Sequence, residues 1–383
     1  MAQLSFWEKT SFFSPQDIII IGSGFTGLWS ALQLKLINPD YKITIVERGL
    51  IPTGASTRNA GFSCFGSPGE LLADTEAMGE DNMWQLVQMR YKGLLEIRKH
   101  FTDAMIDYDA CGGYECFTNK STDWNDCANK LDWLNNGLKE ITGKSDLFKI
   151  ADNKIPSFGF KGFDHMIENP LEAGLHPGKL IQALLQKVQG MGVQVLTGVE
   201  VKSYQQHHHG IELETNLTSI EAANFKLTTQ QLLLCTNAFT KHLFPAIDIT
   251  PNRGQVLITA PIKNLALKGT FHFDKGYYYF RNVGDRLLLG GARNMAFETE
   301  NTEEMQTTAT IQNGLEQFIK QHLLPDVTFT ITDKWSGIMA MGTQKTPIIQ
   351  TIEPNVFCCV RMNGMGVALS PLAAKNIAAL MTN

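Results

Sequence analysis

Residues 18–27 read Ile-Ile-Ile-Ile-Gly-Ser-Gly-Phe-Thr-Gly, and this stretch decides the fold of the first part of the chain. A run of four β-branched residues is typical of a parallel strand that is buried on both faces. The next six residues match G-x-G-x-x-G, and a helical pattern follows as far as Asn38 and Pro39. A second strand is predicted over 42–46, ending at Glu47. The sequence therefore predicts a βαβ unit of the Rossmann type.

The glycine-rich turn is predicted to bind the pyrophosphate of a dinucleotide. Gly22 permits the tight turn, Gly24 lets the backbone approach the phosphates, and Gly27 lets helix and strand pack closely. The helix N-terminus offers N–H groups and a partial positive charge to the phosphates. Glu47 follows near the expected spacing of about 20 residues and can accept hydrogen bonds from ribose hydroxyls. Its negative charge disfavours a 2′-phosphate, so NADP is not expected.

The composition indicates a folded protein of two lobes without a nucleic-acid partner. The chain has 383 residues, of which 43% are hydrophobic and 19% charged, and its net charge is −5. Nucleic-acid binding would leave a basic footprint. Seven cysteines without a C-x-x-C pair favour reduced, cytoplasmic thiols. The first ten residues lack an apolar segment, and glycines interrupt the run that begins at Ile18, so neither a signal peptide nor a membrane span is expected.

Two further features are predicted to be structural. Three consecutive histidines, His207, His208 and His209, lie between two strand-like stretches, and an exposed turn is favoured there over a metal site because partner ligands in a suitable pattern are missing. No metal is therefore expected. Cys358 and Cys359 lie in an apolar strand and are predicted to be small core residues.

The segment after Glu47 favours FAD over NAD. Residues 54–62 read Gly-Ala-Ser-Thr-Arg-Asn-Ala-Gly-Phe, a small, polar stretch that can run along a long cofactor, whereas a simple NAD half-domain would continue with a crossover helix. Near the C-terminus, an apolar strand over 356–360 precedes Asn-Gly-Met-Gly-Val-Ala-Leu-Ser-Pro at 363–371. Pro371 is predicted in the first turn of a closing helix over 372–381, whose N-terminus could stabilise negative charge on a reduced flavin.

With these motifs the chain resembles the glycine oxidase/D-amino acid oxidase (DAO) superfamily of FAD-dependent oxidoreductases, and within it the gamma-glutamylputrescine oxidase-like members. Their G-A-S-x-R-N-x-G segment is matched by residues 54–61, and further matches lie at 174–178, 232–238, 252–255, 277–293 and 335–347. The resemblance implies an α/β fold (α+β overall), in which a Rossmann-type FAD-binding lobe is interleaved with a substrate lobe built on a mainly antiparallel sheet. The predicted FAD-binding domain comprises 1–75, 166–245 and 331–383, and the substrate domain comprises 76–165 and 246–330.

The resemblance also implies which residues bind the cofactor. The FAD is expected to be non-covalent, because Asn59 and Trp335-Ser336 occupy the places where other members carry a linking histidine or cysteine. The cofactor-binding residues that it assigns are Gly22, Gly24, Phe25, Thr26, Gly27, Glu47, Arg48, Ala55, Ser56, Arg58, Asn59, Ala60, Gly61, Val201, Thr236, Asn237, Gly337, Gly364, Met365, Gly366, Val367 and Ala368.

For the substrate, the resemblance implies a small amine or amino acid, oxidised at its C–N bond by hydride transfer to flavin N5 to give an imine that hydrolyses. The arginine that clamps the substrate carboxylate in glycine oxidases is replaced by Met339. This favours an amine, or an amino acid held by another cation, with Arg281 and Arg58 as candidates. Arg281 is equally consistent with a solvated hairpin charge, and no acid–base residue is predicted. Candidate aromatic walls are Tyr279, Phe280 and Trp335.

The electron acceptor is left open by the sequence. Some relatives place a lysine near flavin N5 to activate oxygen, but the matching strand here reads Leu287-Leu288-Leu289. Oxygen and another acceptor are both consistent with this strand. The alternatives are a flavin-dependent dehydrogenase or tailoring enzyme that acts on a larger or modified substrate without using oxygen directly, and a non-enzymatic scaffold stabilised by FAD.

Overall fold

A computed structural model describes residues 4–216 and 226–383, which form two compact units. Unit 1 comprises Met1–Thr57, Gly178–Pro251 and Met339–Asn383, and unit 2 comprises Arg58–Pro177 and Asn252–Ile338. The boundaries between the predicted domains lie after residues 75, 165, 245 and 330, and the prediction assigns FAD binding to one domain and substrate binding to the other. Those roles stay a prediction. Of the N-terminal segment considered above, residues 1–3 lie outside the described residues.

The sheet of unit 1 is built around the strand Gln16–Ile21. This strand pairs in parallel with Ile43–Glu47 on one side and Leu227–Leu234 on the other. Ile18 to Ile21 are at most 6% exposed, which confirms the predicted burial on both faces. The order across the sheet is Ile348–Glu353, Val356–Val360, Leu227–Leu234, Gln16–Ile21, Ile43–Glu47 and Gln194–Thr197, with the hairpin Val201–His207 and Gly210–Thr215 attached to Leu227–Leu234.

The first strand turns directly into the helix Phe25–Ile37, as predicted. A Cβ atom at Gly27 would lie 2.0 Å from the carbonyl oxygen of Gly22, so only glycine lets the helix approach the turn. The helix packs against the C-terminal helix Gly366–Thr382, and the hydroxyls of Thr26 and Ser370 lie 3.3 Å apart. The predicted Rossmann-type arrangement of unit 1 is confirmed.

The predicted start of the C-terminal helix is wrong. This helix begins at Gly366, and Pro371 lies inside it instead of in its first turn. Proline provides no N–H for the carbonyl one turn earlier. Val367, Ala368 and Leu369 are nevertheless at most 8% exposed, and the burial of this apolar turn offsets the lost hydrogen bond. The positive end of the helix therefore lies at the Gly364–Gly366 turn.

Unit 2 is built on a second eight-stranded sheet. Its order is Ile331–Met341, Thr250–Thr259, Arg286–Gly291, Tyr278–Val283, Thr270–Phe273, Gly113–Phe117, His165–Asn169 and Lys149–Ile150. One pair of neighbouring strands is parallel, namely Thr270–Phe273 with Gly113–Phe117. The neighbouring strands in the order from Thr250–Thr259 to Thr270–Phe273 pair in antiparallel fashion. The same holds for the neighbouring strands from Gly113–Phe117 to Lys149–Ile150. The predicted mainly antiparallel sheet and the hairpin within 277–293 are confirmed.

The two faces of this sheet differ in chemistry because side chains alternate along a strand. One face is an apolar core, in which Phe271 and Phe280 are fully buried and stack at 5.0 Å between ring centroids. Leu257, Leu289 and the helix Ala309–Phe318 complete this core. The opposite face carries the cross-strand pairs His272–Tyr279 and Thr270–Arg281. We call this opposite side the polar face.

Helices and short strands surround the two sheets. A long helix spans Glu80–His100. Further along, the chain breaks at Lys130 after Asn129, a residue of low helix propensity, so two helices form on either side of Lys130. The remaining helices, helical turns and short strands are Phe6–Ser11, Ala55–Thr57, Phe62–Ser63, Pro68–Met78, Asp103–Ile106, Trp124–Asn129, Leu131–Thr142, Asp152–Lys154, Ile155–Phe158, Ala173–Gly174, Pro177–Gly190, Asn237–His242, Arg293–Met295 and Ile319–Leu323.

The cysteines and histidines agree with the structural interpretation. All seven cysteines are free thiols, and Cys358 and Cys359 are fully buried. His207 ends a strand of the exposed hairpin, and His208 and His209 form its turn. Within residues 4–216 and 226–383, no cluster of histidine, cysteine and carboxylate side chains could hold a metal ion. None of the helices in this described part combines the length and apolar character that crossing a bilayer requires.

A buried carboxyl group closes the N-terminus of the helix Pro68–Met78. Glu115 is 1% exposed, and its Oε2 accepts a hydrogen bond of 2.7 Å from the N–H of Gly69. Its Oε1 has no hydrogen-bond partner within the described chain. Burial is the main cause that raises the pKa of Glu115, to about 8, and the hydrogen bond from Gly69 only partly opposes it. Glu115 is therefore largely protonated at neutral pH.

We predict that Gly27→Ala destabilises unit 1, because its Cβ would collide with backbone that cannot move aside. The free energy of unfolding should fall by about 3 kcal/mol or more, measured by denaturant unfolding of the purified protein. Gly54→Ala is the matched control, since a Cβ there meets no atom within 4 Å. Equal stability of the two variants would contradict the close approach of Gly27 to Gly22.

We predict that Glu115→Gln makes the protein more stable in alkaline solution. A raised carboxyl pKa means that stability is greatest below the pKa of the unfolded chain and is lost as pH rises towards about 8. The neutral amide removes this loss, so the variant should gain about 1–3 kcal/mol over wild type between pH 5 and 8. Denaturant unfolding across this pH range measures the gain. Glu168→Gln, on the adjacent strand and partly exposed, is the control, and identical pH profiles for all three proteins would refute the prediction.

Candidate functional site

The carboxylate of Glu47 fixes the glycine-rich turn of unit 1. Its Oε2 accepts hydrogen bonds from the N–H of Ser23 at 3.1 Å and from the Ser23 hydroxyl at 2.7 Å. Its Oε1 accepts one from the N–H of Gly49 at 2.9 Å. A carboxylate offers about four lone-pair positions, so one acceptor position is left for a ribose hydroxyl. The end of the second strand thus both holds the turn and keeps a nucleotide-binding capacity.

The N-terminus of the helix Phe25–Ile37 is prepared for an anion. Gly24 is its N-cap and makes no side-chain capping bond. The N–H of Phe25 donates to the hydroxyl of Ser56 at 2.9 Å. The helix dipole places partial positive charge at this end. Because the glycines of the turn have no side chains, a phosphate can approach the backbone N–H groups closely. A pyrophosphate fits this chemistry, and the structure brings Ser56 from the predicted cofactor segment to the same turn.

Other predicted cofactor residues of unit 1 surround the carboxyl ends of its parallel strands. The guanidinium of Arg48 lies 3.9 Å from the centre of the Phe239 ring, next to the turn at Thr236 and Asn237. The N–H of Val199, which precedes the strand beginning at Val201, donates to the carbonyl of Glu47. These ends are where open parallel sheets bind ligands. Ala55 lies in the short 3₁₀ turn before Arg58.

The C-terminal turn brings Met339 and Gly364 together. A Cβ atom at Gly364 would lie 3.4 Å from the sulfur of Met339. Met365 is the N-cap of the C-terminal helix and makes no side-chain capping bond, so the positive end of the helix is left open. Gly366, Val367 and Ala368 form its first turn. Met339, the residue at the usual clamp position, thus lies at this turn and provides no charge for a carboxylate.

In unit 2, the predicted cofactor segment Arg58–Gly61 is fixed along the strand Ile331–Met341. The side chain of Arg58 donates to the carbonyl of Ser336 at 2.9 Å, and the indole N–H of Trp335 donates to the carbonyl of Arg58 at 2.9 Å. The side chain of Asn59 accepts from the N–H of Gly61 at 2.9 Å. Ala60 is buried in a small cluster that includes Trp335. The side-chain oxygen of Asn59 therefore stabilises this turn. Gly337 directly follows Trp335 and Ser336, the two residues that bind Arg58.

Arg281 is a buried cation and the solvated interpretation of it is wrong. It is 7% exposed, and its Nη1 donates to the carbonyl of Gly61 at 2.6 Å. Its Nε has no hydrogen-bond partner in the described part of the chain, where Arg281 also forms no ion pair. The guanidinium lies against Gly174, where a Cβ atom would be 2.3 Å from Nη1. Burial lowers its pKa, and the nearby Cys111 and Asp109 only partly oppose this effect.

The aromatic residues predicted as pocket walls divide between the two faces of the sheet. Tyr279 lies on the polar face, where it makes an edge contact with Phe62 at 6.1 Å and packs in the same cluster as Trp335. Burial raises the pKa of Tyr279 to about 12, so its hydroxyl stays protonated. Phe280 lies in the apolar core of the opposite face. Its prediction as a wall is wrong, because neighbours in a strand point to opposite sides.

Sequence reasoning missed a group of titratable residues on the polar face. His272 is 4% exposed, and its Nε2 lies 3.1 Å from Oε2 of Glu172, which is 2% exposed. Cys64 faces the same imidazole and raises its pKa, and Glu115 is the cross-strand partner of His272. The sequence signal was the alternation Thr-Phe-His-Phe at 270–273, in which every second residue is polar within an aromatic strand. Glu172 had no comparable signal because it lies in a connecting segment.

Comparisons with known proteins agree with this geometry. Curated relatives include the probable oxidoreductase OrdL of Rhizobium meliloti (strain 1021), 23% identical over 376 residues that cover 95% of this chain and 82% of the relative. The gamma-glutamylputrescine oxidoreductase of Escherichia coli (strain K12) is 23% identical over 380 residues, with 95% and 83% covered. Among solved structures, a glycine oxidase from Geobacillus kaustophilus superposes with a TM-score of 0.72 at 19% identity, covering 96% of this chain and 95% of the other.

The relatives above are too distant to assign the chain to a family, but a family model does so. The model described as DAO, FAD dependent oxidoreductase, matches residues 17–380, which is nearly the whole chain. The match includes the glycine-rich turn, the polar face of unit 2 and the C-terminal helix. The chain therefore belongs to the DAO family of FAD-dependent oxidoreductases.

Proposed function

We propose that this oxidoreductase oxidises the C–N bond of an amine or amino acid that also carries an acid group. The observation that carries the proposal is the buried guanidinium of Arg281, which forms no ion pair within the described chain. The similar proteins from Escherichia coli and Geobacillus kaustophilus are named for gamma-glutamylputrescine and for glycine. Both compounds contain an amino group and a carboxylate, so the names support the same substrate class.

FAD supplies the two-electron acceptor when it is bound. We propose that the turn Gly22–Gly27 and Ser56 hold its pyrophosphate and that Glu47 accepts a ribose hydroxyl. The segments Arg58–Gly61 and Gly364–Ala368, with Arg48, Val201, Thr236, Asn237 and Gly337, complete the proposed cofactor-binding set. Non-covalent binding is supported by Asn59, whose side-chain oxygen is already used in the turn.

Arg281 is proposed to select the acid group of the substrate. A guanidinium has five N–H donors in a planar fork that matches a carboxylate. Here one donor, at Nη1, is used by Gly61, and Nε is buried without a partner. A buried charge without a counter-ion costs several kcal/mol, and a bound carboxylate would remove that cost with two parallel hydrogen bonds. The substrate would therefore be held by its acid group while the carbon beside nitrogen reacts.

The rest of the polar face is suited to a neutral amine. Tyr279, Phe62 and Trp335 pack together as an apolar wall, which is proposed to keep water away from the reacting carbon. Bound FAD would supply the acceptor for the electron pair of the carbon–hydrogen bond beside nitrogen, and a C=N double bond would form in the substrate. Water then adds to the imine and releases ammonia or an amine. Excluding water before the imine has formed protects the first step.

We expect the purified protein to carry flavin absorbance bands that acid precipitation releases into the supernatant. Anaerobic addition of α-amino acids, N-alkylated amino acids and simple amines should bleach the bands at much lower concentration with the acid-bearing members than with the simple amines. Readmission of air then reports whether oxygen is an efficient acceptor, since the strand Arg286–Gly291 contains no lysine. Flavin that stays oxidised with the whole panel would overturn the proposed function. Flavin that remains in the precipitate would overturn only its non-covalent binding.

We predict that Arg281→Met discriminates between substrates with and without an acid group. The KM for an acid-bearing amine should rise about 100-fold, because a bidentate charge-assisted contact is lost. Turnover of a matched amine without the acid group should change less than about threefold. Arg286→Met is the control in the same hairpin, because Arg286 binds the Thr259 carbonyl at the partly exposed end of its strand. An equal change of KM for both substrates would exclude Arg281 as the acid-binding group.

A further inference from the structure

His272 lies between two carboxylates that differ in their access to water. Its Nε2 is 3.1 Å from Oε2 of Glu172, and its Nδ1 is 3.7 Å from Oε2 of Glu70. The side chains of His272 and Glu172 are 5% and 1% exposed, whereas that of Glu70 is 24% exposed. The three groups therefore form a line from a fully buried carboxylate, through an imidazole, to a carboxylate at the protein surface.

All the neighbouring groups hold this line in place. The hydroxyl of Thr270 donates to Oε2 of Glu172 at 3.2 Å. Oε2 of Glu70 accepts from the N–H of Ser67 at 3.0 Å, at the start of the helix Pro68–Met78. The ring of Phe62 makes an edge contact with the imidazole at 5.2 Å between centroids. The distance of 3.7 Å between Nδ1 of His272 and Oε2 of Glu70 is longer than a hydrogen bond, so transfer over this step requires a small movement of the partly exposed Glu70 side chain.

The charged and titratable groups that face His272 come from several elements. They are Glu172 from the loop before Ala173–Gly174, Glu70 from the helix Pro68–Met78, Cys64 from the segment after Phe62–Ser63, and Glu115 from the neighbouring strand. Burial by itself lowers the pKa of His272, but Glu172 first, then Cys64 and Glu70, raise it well above its ordinary value. The imidazole is therefore held in its protonated form at neutral pH.

An imidazole between two acceptors can transfer a proton without moving far. The protonated ring can release the proton of one ring nitrogen while the N–H of the other stays directed at a carboxylate. The inner carboxylate, Glu172, accepts the hydroxyl of Thr270, and Thr270 is the cross-strand partner of Arg281. The line thus begins directly beside the proposed binding position of the substrate acid group, on the same polar face.

We propose that Glu172, His272 and Glu70 form a proton relay that carries the proton lost by the substrate ammonium from the polar face to solvent. The inference rests on the proposed oxidation of an amine. An ammonium must become a neutral amine before its carbon–hydrogen bond can give up an electron pair. One N–H bond of the ammonium breaks, its electron pair stays on nitrogen, and a carboxylate oxygen of Glu172 takes the proton. The negative charge that holds the imidazolium protonated is thereby removed, so His272 releases its Nδ1 proton towards Glu70 and the solvent. No electron is transferred in this step and no other bond of the substrate changes.

The relay predicts how the reaction depends on pH. In His272→Gln, the rate of anaerobic flavin bleaching by a saturating amine substrate should fall about 100-fold at pH 7. It should recover to within about threefold of wild type near pH 10, where an amine with a pKa like that of lysine arrives largely deprotonated. A purely structural defect would lower the rate at every pH. Glu70→Gln, at the surface end of the line, should show a smaller loss of rate at pH 7 and the same recovery near pH 10. Its amide oxygen can still accept the hydrogen bond from the N–H of Ser67.

The matched control is His165→Gln. His165 belongs to the same sheet and also pairs with a carboxylate, because its Nδ1 lies 2.9 Å from Oδ2 of Asp152. This pair does not belong to the line described above, so its loss should leave the pH profile unchanged. All variants are compared at equal FAD content and with their unfolding curves, which separates a folding defect from a change in proton transfer.

A second readout does not depend on activity. In protein with ¹⁵N-labelled histidine, the resonances of His272, identified by their loss in His272→Gln, should show a ring protonated at both nitrogens at pH 7. In Glu172→Gln the same ring should lose its proton at a clearly lower pH, because its main attractive charge is removed. A wild-type ring that is neutral at pH 7 would overturn the relay, as would an unchanged titration in Glu172→Gln.

The outcomes separate this inference from the proposed function. If amines bleach the wild-type flavin but His272→Gln keeps the wild-type pH profile, the relay is wrong and the proposed function stands. A rate that is reduced equally at all pH values in both His272→Gln and Glu70→Gln also overturns the relay. If no amine bleaches the wild-type flavin, the proposed function fails, and the relay, which needs a substrate ammonium, fails with it.

Discussion

The charged groups of unit 2 can be buried because the opposite face of its sheet is sealed by an apolar core. Phe271 and Phe280 stack within that core, and each fully buried phenylalanine contributes roughly 2 kcal/mol through the area removed from water. The same strands then present His272 and Arg281 on the other side, since the side-chain period of a strand is two. A shift of register by one residue would place phenylalanine in the site and the charges in the core. The position of every polar group in this unit therefore depends on the register of two neighbouring strands.

Close approach of backbone is the second requirement, and it occurs in both units. In unit 1, Gly27 lets the first helix contact the carbonyl of Gly22, which sets the direction of the helix N-terminus towards the turn. In unit 2, the guanidinium of Arg281 lies on Gly174, at a place that any side chain would fill. The two glycines have different functions. The first determines how secondary-structure elements pack, whereas the second makes room for a charged side chain beside the backbone.

The sequence predicted the local parts of this structure well and the assembled parts poorly. The strand, turn and helix of residues 16–37 are encoded by neighbouring residues, so the pattern of Ile18–Gly27 was sufficient. Arg281 could not be assigned, because its burial depends on Gly61 and Gly174, which are distant in the chain. His272 and Glu172 were missed for the same reason. Pro371 misled the prediction of the last helix because local propensity was outweighed by burial of the turn before it.

The polar face combines one unpaired cation with a cluster in which negative groups outnumber positive ones. Glu172, Glu70 and Glu115 surround a single imidazolium, and protonation of Glu115 at neutral pH reduces the net charge of the cluster. Arg281, in contrast, has no carboxylate partner within the described chain. An apolar side chain at position 281 would cost less free energy than a buried guanidinium with an unused donor. Opposite charges kept apart on one face are instead suited to a ligand that carries both signs. The proposed substrate is such a ligand, with a carboxylate for Arg281 and an ammonium whose proton the acidic cluster would accept.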